Sequence, residues 1–352
     1  MDKIRVAVLG ATGMVGQYFL HLLHDHPFFQ VAAVCASDAR IGQLLGQVRP
    51  LHPAGIAPEL AEMRFTSMDA DAIAALEVQA AFSGLPAEIA RTIEPALAGC
   101  GIHIFSNASA FRMDPAVPIL IPEINHHHLA LLPRQQHKGR IVTNANCTST
   151  GLALSLAPLR KLSIRRLIVA SYQAVSGAGY PGVPALDISG NLIPWIEGEE
   201  GKVRQECNKI FGCIGAGGLE PAGWEVHAHC VRVPTLVGHL VSTHIELNRE
   251  VTAAEVEECY SSFQTPVEVA GLPSAPVRPV LLTHEAGRPQ PARDIEAGEP
   301  GRTSGMAVVV GRLEVSGSVI RQVNLANNLV RGAAGGSVLN AELALRAGLF
   351  SH

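Results

Sequence analysis

Ile4-Arg5-Val6-Ala7-Val8-Leu9-Gly10-Ala11-Thr12-Gly13-Met14-Val15-Gly16 opens the chain and decides its fold class. Positions 4–9 are an apolar, partly β-branched run, the composition of a short buried strand. Three glycines follow at intervals of three, and Gln17-Tyr18-Phe19-Leu20-His21-Leu22-Leu23 then has helical periodicity. Strand, glycine turn and helix in direct succession make the phosphate-binding corner of a dinucleotide fold. The glycines permit the tight turn and let a pyrophosphate approach the helix N-terminus. Gly10, Thr12, Gly13, Met14, Val15 and Gly16 are therefore candidate cofactor residues.

The same alternation continues outward. A strand over 31–36 ends in Ser37-Asp38-Ala39-Arg40. An NAD site usually carries an acidic residue at this strand end, bonded to the ribose 2′-hydroxyl. Here Ser37 and Arg40 have the chemistry to hold a 2′-phosphate, while Asp38 would repel it if turned inward. NADP is the expected cofactor. Residues 41–77 are less regular. Strands are expected over 78–83 and 102–107, with a helix over 86–97 between them. The polar stretch Ser106-Asn107-Ala108-Ser109-Ala110-Phe111-Arg112 falls at the ligand edge of such a sheet. Residues 118–125 read as an extended connection. His126-His127-His128 reads as a solvated helix start, because successive side chains diverge too far to share one metal. The pattern is that of an α/β, doubly wound parallel sheet.

A second stretch carries chemistry: Ile141-Val142-Thr143-Asn144-Ala145-Asn146-Cys147-Thr148-Ser149-Thr150-Gly151. It reads as strand, tight turn and helix, with Cys147 at the helix start. Free N–H groups and the positive dipole end there favour an anion, and hence a nucleophilic thiolate. The same N–H groups suit an oxyanion.

Composition narrows the class. A chain of 352 residues suggests two domains, and its 34 Gly and 23 Pro suit a compact α/β protein. A formal net charge of -4 gives no broad basic surface for nucleic acid or anionic membrane. The seven cysteines are odd in number and include no Cys-x-x-Cys pair, which reads as reduced cytoplasmic thiols. No apolar run reaches membrane-spanning length.

Beyond Cys147 the pattern changes. Strands are expected over 167–175, 224–234, 240–247, 306–315 and 322–325, with few helices between them and a proline-bearing loop over 285–302. That is a mainly antiparallel α+β domain. A last helix over about 333–349 returns to the first domain.

Together these pieces resemble the aspartate-semialdehyde dehydrogenase family, in its archaeal/fungal-type branch. The resemblance rests on the glycine turn at 10–16, Ser106-Asn107-Ala108-Ser109, Asn144-Ala145-Asn146-Cys147-Thr148, and Gln173-Ala174-Val175-Ser176-Gly177-Ala178-Gly179-Tyr180-Pro181-Gly182. It continues through Glu199-Glu200-Gly201-Lys202, Arg232-Val233-Pro234 with Gly238-His239, and Asn328-Leu329-Val330-Arg331-Gly332-Ala333-Ala334-Gly335. The pieces run in the family's order over nearly the whole chain.

The resemblance implies an NADP-binding domain over 1–146, completed by 331–352, and a catalytic and dimerisation domain over 147–330. It implies NADPH-dependent reduction of β-aspartyl phosphate to aspartate β-semialdehyde, through a thioacyl intermediate on Cys147. His239 matches the general acid/base. Arg232 matches the grip on the substrate carboxylate, and Gln173 an orienting amide. Glu199 and Lys202 match residues for the substrate ammonium and the phosphate, and Arg112 and Asn146 resemble further phosphate-site residues. Ser83, Gly84, Ser176, Gly177 and Asn328 join the cofactor set. No metal site is implied, and a homodimer or homotetramer is expected. One departure is visible: the family's Gly-His is commonly flanked by an acidic residue and a Thr, where this chain has Val237 and Leu240. Alternatives on the same scaffold are N-acetyl-γ-glutamyl-phosphate reductase, malonyl-CoA reductase and a non-catalytic NADP-binding protein.

Overall fold

The computed structural model describes residues 2–350, and its chain divides into two units. The first holds Met1–Leu120, His126–Ala145 and Ala333–His352. Its strands are β1 (Ile4–Leu9), β2 (Phe29–Cys35), β3 (Phe65–Thr66), β4 (Ala80–Ser83), β5 (His103–Ser106), β6 (Ile119–Leu120) and β7 (Ile141–Asn144). They form one sheet in the order β3-β2-β1-β4-β5-β7-β6, with every neighbouring pair parallel. Strand order reverses between β1 and β4, which is where doubly wound sheets open a ligand crevice. Val6, Ala7, Val8 and Leu9 are wholly buried, as a parallel strand covered on both faces requires. Helices Met14–Leu23, Ala87–Gly99 and Gly335–Arg346 pack on this sheet. The last is locked by a buried pair in which His26 Nε2 and Glu342 Oε1 lie 2.9 Å apart.

The second unit holds Ile121–Asn125 and Asn146–Gly332. Its strands are β8 (Ile164–Ala174), β9 (Cys213–Gly215), β10 (Gly218–Glu220), β11 (Glu225–Val233), β12 (His239–Leu247), β13 (Val280–Leu282), β14 (Val308–Ser316) and β15 (Val319–Ala326). Six of them form a mixed sheet, β11-β8-β12-β15-β14-β13, with β9 and β10 as a separate ribbon. The pairs β11–β8 and β13–β14 are parallel and the three between them antiparallel. Arg331 donates both terminal nitrogens to the Glu123 carboxylate, at 2.7 and 2.6 Å, with both residues buried.

Three sequence expectations need correction. Only Ile119–Leu120 of 118–125 is strand; Pro122–Asn125 is a helical turn. Asn125 Oδ1 accepts from the Ile121 N–H at 2.8 Å, a side-chain bond that folds the segment back. The histidine run is not solvated throughout, since His128 is fully buried. The loop expected over 285–302 contains a short helix, Pro291–Asp294. No helix among the described residues is long and apolar enough to cross a membrane.

Candidate active site

Cys147 is the first residue of helix Cys147–Leu156. Asn146 caps that helix, its Oδ1 accepting from the N–H groups of Thr148 at 2.9 Å and Ser149 at 3.2 Å. The cap holds the helix N-terminus, with its favourable field, at the sulfur. Gly332 lies against Cys147: a Cβ there would come within 2.7 Å of the Cys147 Cβ. The two backbones can approach only because that side chain is absent.

His239 opens β12, and its Nε2 lies 3.2 Å from Cys147 Sγ. On the other side of the ring, Nδ1 accepts from the backbone N–H of Ala174 at 3.1 Å. That bond assigns the proton of the neutral ring to Nε2. Burial pushes the imidazole pKa down to about 4, and nearby Arg232 pushes the same way against Glu199. The ring is therefore neutral near pH 7 and donates its Nε2–H toward sulfur. Its support comes from the main chain, so Val237 and Leu240 do not leave it loose.

Arg232, on β11, donates NH1 to the Ala174 carbonyl at 2.8 Å. Burial lowers its pKa from the ordinary arginine value, but so strong a base stays cationic. Gly177 clears the space above it, since a Cβ there would sit 2.8 Å from Arg232 NH1 and 3.1 Å from the His239 ring. Asn328 ties the surrounding loops: its Nδ2 donates to Ser176 Oγ at 2.9 Å and its Oδ1 accepts from the Gly238 N–H at 2.8 Å.

Glu199 is the hub of this cluster. Its Oε1 accepts from Asn146 Nδ2 at 2.8 Å, Gln173 Nε2 at 3.2 Å and Thr148 Oγ1 at 3.4 Å; its Oε2 accepts from Lys202 Nζ at 3.3 Å. Burial raises the carboxyl pKa, but Lys202 and Asn146 outweigh it and hold the group below the usual carboxylate range. Glu199 is thus a buried anion. Glu206, one heptad along the same helix Glu199–Ile210, is a further member that sequence reasoning missed. Its Oε2 accepts from the Asn146 N–H at 2.6 Å. The signal was its spacing on the Glu199 face.

The first unit carries the rest of the expected residues. Gly10 has φ +76° and lies at the β1 turn, and both Gly10 and Ala11 donate their N–H groups to the Cys35 carbonyl at 3.0 Å. A Cβ on Gly16 would fall 2.2 Å from the Gly10 carbonyl oxygen. This turn can exist only with glycine, and Thr12, Gly13, Met14 and Val15 lie within it. Gly84, directly after Ser83, packs on the turn: a Cβ there would meet the Gly16 nitrogen and Val15 Cβ at 3.4 Å. These residues fit a pyrophosphate, because the turn carries no side chain at Gly10, Gly13 and Gly16 and runs straight into a helix start. Ser37 and Arg40 flank a short turn after β2, both exposed, and Arg40 donates to Gln43 Oε1 at 3.0 Å. Arg112 is buried and donates to the carbonyls of Asn144 at 2.9 Å and Asn107 at 2.6 Å.

Comparison with known proteins agrees with both halves. Residues 5–132 match the family model for the NAD binding domain of semialdehyde dehydrogenase, and residues 156–331 match that for its dimerisation domain. An aspartate-semialdehyde dehydrogenase of Archaeoglobus fulgidus is 42% identical over 98% of each chain. The chain belongs to the aspartate-semialdehyde dehydrogenase family. Within that family the fold extends to a crystal structure of the Candida albicans enzyme with NADP. It shares 30% identity with a TM-score of 0.88, over 99% of this chain and 100% of that one. A Metallosphaera sedula protein named malonyl CoA reductase (NADP) is 34% identical over 98% of both chains.

Proposed function

We propose that this family member is an NADP-dependent, phosphorylating aspartate-semialdehyde dehydrogenase that uses Cys147 as its nucleophile. The observation that carries this reading is the 3.2 Å approach of His239 Nε2 to Cys147 Sγ. A thiol at a helix start, beside a neutral imidazole that donates to it and a buried arginine, is set up as a thiolate.

The thiolate attacks the acyl-phosphate carbonyl, the C–O bond to phosphate breaks, and a thioester forms on Cys147. The developing oxyanion is within the reach of His239 Nε2–H. When bound at the glycine turn, NADPH supplies the hydride that reduces the acyl group. His239 Nε2–H hydrogen-bonds the tetrahedral oxyanion, which collapses to the aldehyde as thiolate leaves, with no net proton transfer in that step. Arg232 grips the α-carboxylate with its free guanidinium edge. Glu199, an anion with Gln173 and Asn146 around it, suits the substrate ammonium, and Lys202 beside it suits phosphate; Arg112, in the first unit, is a further phosphate candidate. Gly10, Gly13 and Gly16 cradle the pyrophosphate, Ser83 and Gly84 border it, and Ser37 with Arg40 take the 2′-phosphate. Ser176, Gly177 and Asn328, in the second unit, are the candidates for the nicotinamide.

The chain acts as a homodimer or larger homo-oligomer. The outer face of the mixed sheet supports this, with Ile168 and Tyr172 exposed on β8 and Val231 and Leu240 half-buried beside them. All seven cysteines are free thiols, which suits the cytoplasm. The assay that tests the function is phosphate-dependent reduction of NADP with aspartate semialdehyde. N-acetylglutamate semialdehyde, and malonate semialdehyde with CoA, are run beside it. Turnover only with the first supports the reading, and turnover only with either of the others overturns it.

A further inference from the structure

Glu94 sits in the middle of helix Ala87–Gly99, wholly buried, behind the strand ends that carry Ser83 and Ser106. Ser106 Oγ donates to Glu94 Oε1 at 2.6 Å, and the same hydroxyl oxygen accepts from the Ala108 N–H at 3.1 Å. Glu94 Oε2 makes no hydrogen bond of full geometry among the described residues; the Ser83 hydroxyl faces the same carboxyl, outside good hydrogen-bond geometry but close enough to pull on it. Ser83 is the last residue of β4. Its carbonyl accepts from the Asn107 N–H at 2.9 Å, and the next residue, Gly84, packs on the glycine turn. A single carboxyl therefore stands behind two adjacent strand ends, one of which borders the proposed pyrophosphate cradle.

We propose that Glu94 is a positioning residue for the nucleotide site: as a neutral acid it holds the ends of β4 and β5 in place, and on ionising it loosens them and weakens nucleotide binding. This rests on the reading of the glycine turn as the NADP site. Burial pushes the Glu94 carboxyl up to about 7, against the opposing pull of Ser106, Ser83 and Arg112. An ionised carboxyl there has no cation bonded to it. Arg112, the one cation that pulls on this carboxyl among the described residues, gives N–H groups to the Asn107 and Asn144 carbonyls. On the helix itself Glu88 and Arg91 are exposed. β4 and β7 carry no charged residue, and His103 lies at the opposite end of β5. Asp71 of the neighbouring helix Ala70–Ala74 lies by Cys100, beyond the far end of the Glu94 helix. Ionisation therefore needs water to reach the carboxyl, which means parting the helix from the two strand ends. By linkage, a nucleotide that needs the neutral form raises the proton affinity of Glu94 when it binds.

The test is NADP affinity measured from pH 6 to 9 for wild type, Glu94→Gln and Glu94→Met, with calorimetry in two buffers at pH 8 to count protons. The Gln variant keeps the amide-like shape of the neutral acid, and the Met variant serves if Gln disturbs folding. Wild type should lose affinity above about pH 7, approaching tenfold per pH unit for one linked proton, and should take up a proton on binding at pH 8. Both variants should lack that decline and that uptake. The ionisation of the 2′-phosphate near pH 6 is common to all three proteins. Identical profiles in wild type and variants would overturn the inference. Absence of NADP binding by wild type at every pH would instead overturn the reading of the nucleotide site.

Discussion

The backbone N–H of Ala174 donates to His239 Nδ1 at 3.1 Å, and this one bond decides what the opposite nitrogen can offer Cys147. With Nδ1 engaged as an acceptor, a neutral ring must carry its proton on Nε2. His239 then acts at Cys147 as a hydrogen-bond donor to sulfur, and the helix start and Arg232 share the work of holding a thiolate. Replacing His239 with Asn should leave Cys147 open to alkylation and slow turnover by roughly 10²–10⁴-fold, the usual cost of a lost acid/base. Loss of alkylation together with turnover would show that the thiolate depends on the ring.

The same burial has a consequence for stability. Burial pushes the folded pKa of His239 down to about 4, below the ordinary histidine value of 6.5 that the unfolded chain has. Between these values the unfolded chain binds a proton that the folded chain does not, so stability rises with pH and falls on acidification from 6.5 toward 4. The loss approaches about 3 kcal/mol at 1.36 kcal/mol per unit. Denaturant melts at pH 7 and pH 5, which cover about 1.5 of those units, should show about 2 kcal/mol of it in wild type, and His239→Asn should shrink the difference. An equal difference in both proteins would place its origin elsewhere.

Arg232 tests the substrate grip. Arg232→Lys keeps a positive charge but loses the planar fork, one arm of which is already held by the Ala174 carbonyl. The expected result is a fall in kcat/KM for aspartate semialdehyde of roughly 10²-fold, in line with two lost charge-assisted bonds. NADP affinity should barely change. Unaltered kcat/KM would show that the carboxylate is held by another residue.

The 2′-phosphate contact is expected at Arg40, which is exposed and held only loosely through Gln43. Arg40→Ala should raise KM for NADP by an amount worth roughly 1–3 kcal/mol while leaving NAD almost untouched. Equal use of NADP and NAD by wild type would contradict the assignment.

Glu123 and Arg331 make a buried bidentate pair. Glu123→Gln removes one charge and strands the other, which costs about 3–5 kcal/mol at a buried site. Denaturation midpoints should fall accordingly, and an unchanged midpoint would show that Arg331 finds a second partner.

Much of this was legible because it is local. The turn at Gly10–Gly16 and the helix start at Cys147 are each written within a dozen residues, and each needs residue types that little else requires. Glu199 was harder. Beside Lys202 at i, i+3 it has the pattern of a solvated surface pair, and nothing nearby says that Asn146, 53 residues away, will bury it. The Ala174 N–H is harder still, because a backbone donor has no residue type to read. Residues 118–125 read as extended from their prolines and β-branched positions. The Asn125 side chain then captured the Ile121 N–H and bent the segment. His128 is buried by tertiary packing that a run of three histidines does not announce.

The central claim is that Cys147 carries the acyl group. It is tested most directly by mass spectrometry after brief exposure of the protein to β-aspartyl phosphate without NADPH. The account predicts an aspartyl adduct on the peptide containing Cys147, absent from Cys147→Ala, which should still bind NADP at the separate glycine turn. An adduct on one of the other six cysteines, or full activity in Cys147→Ala, would contradict it.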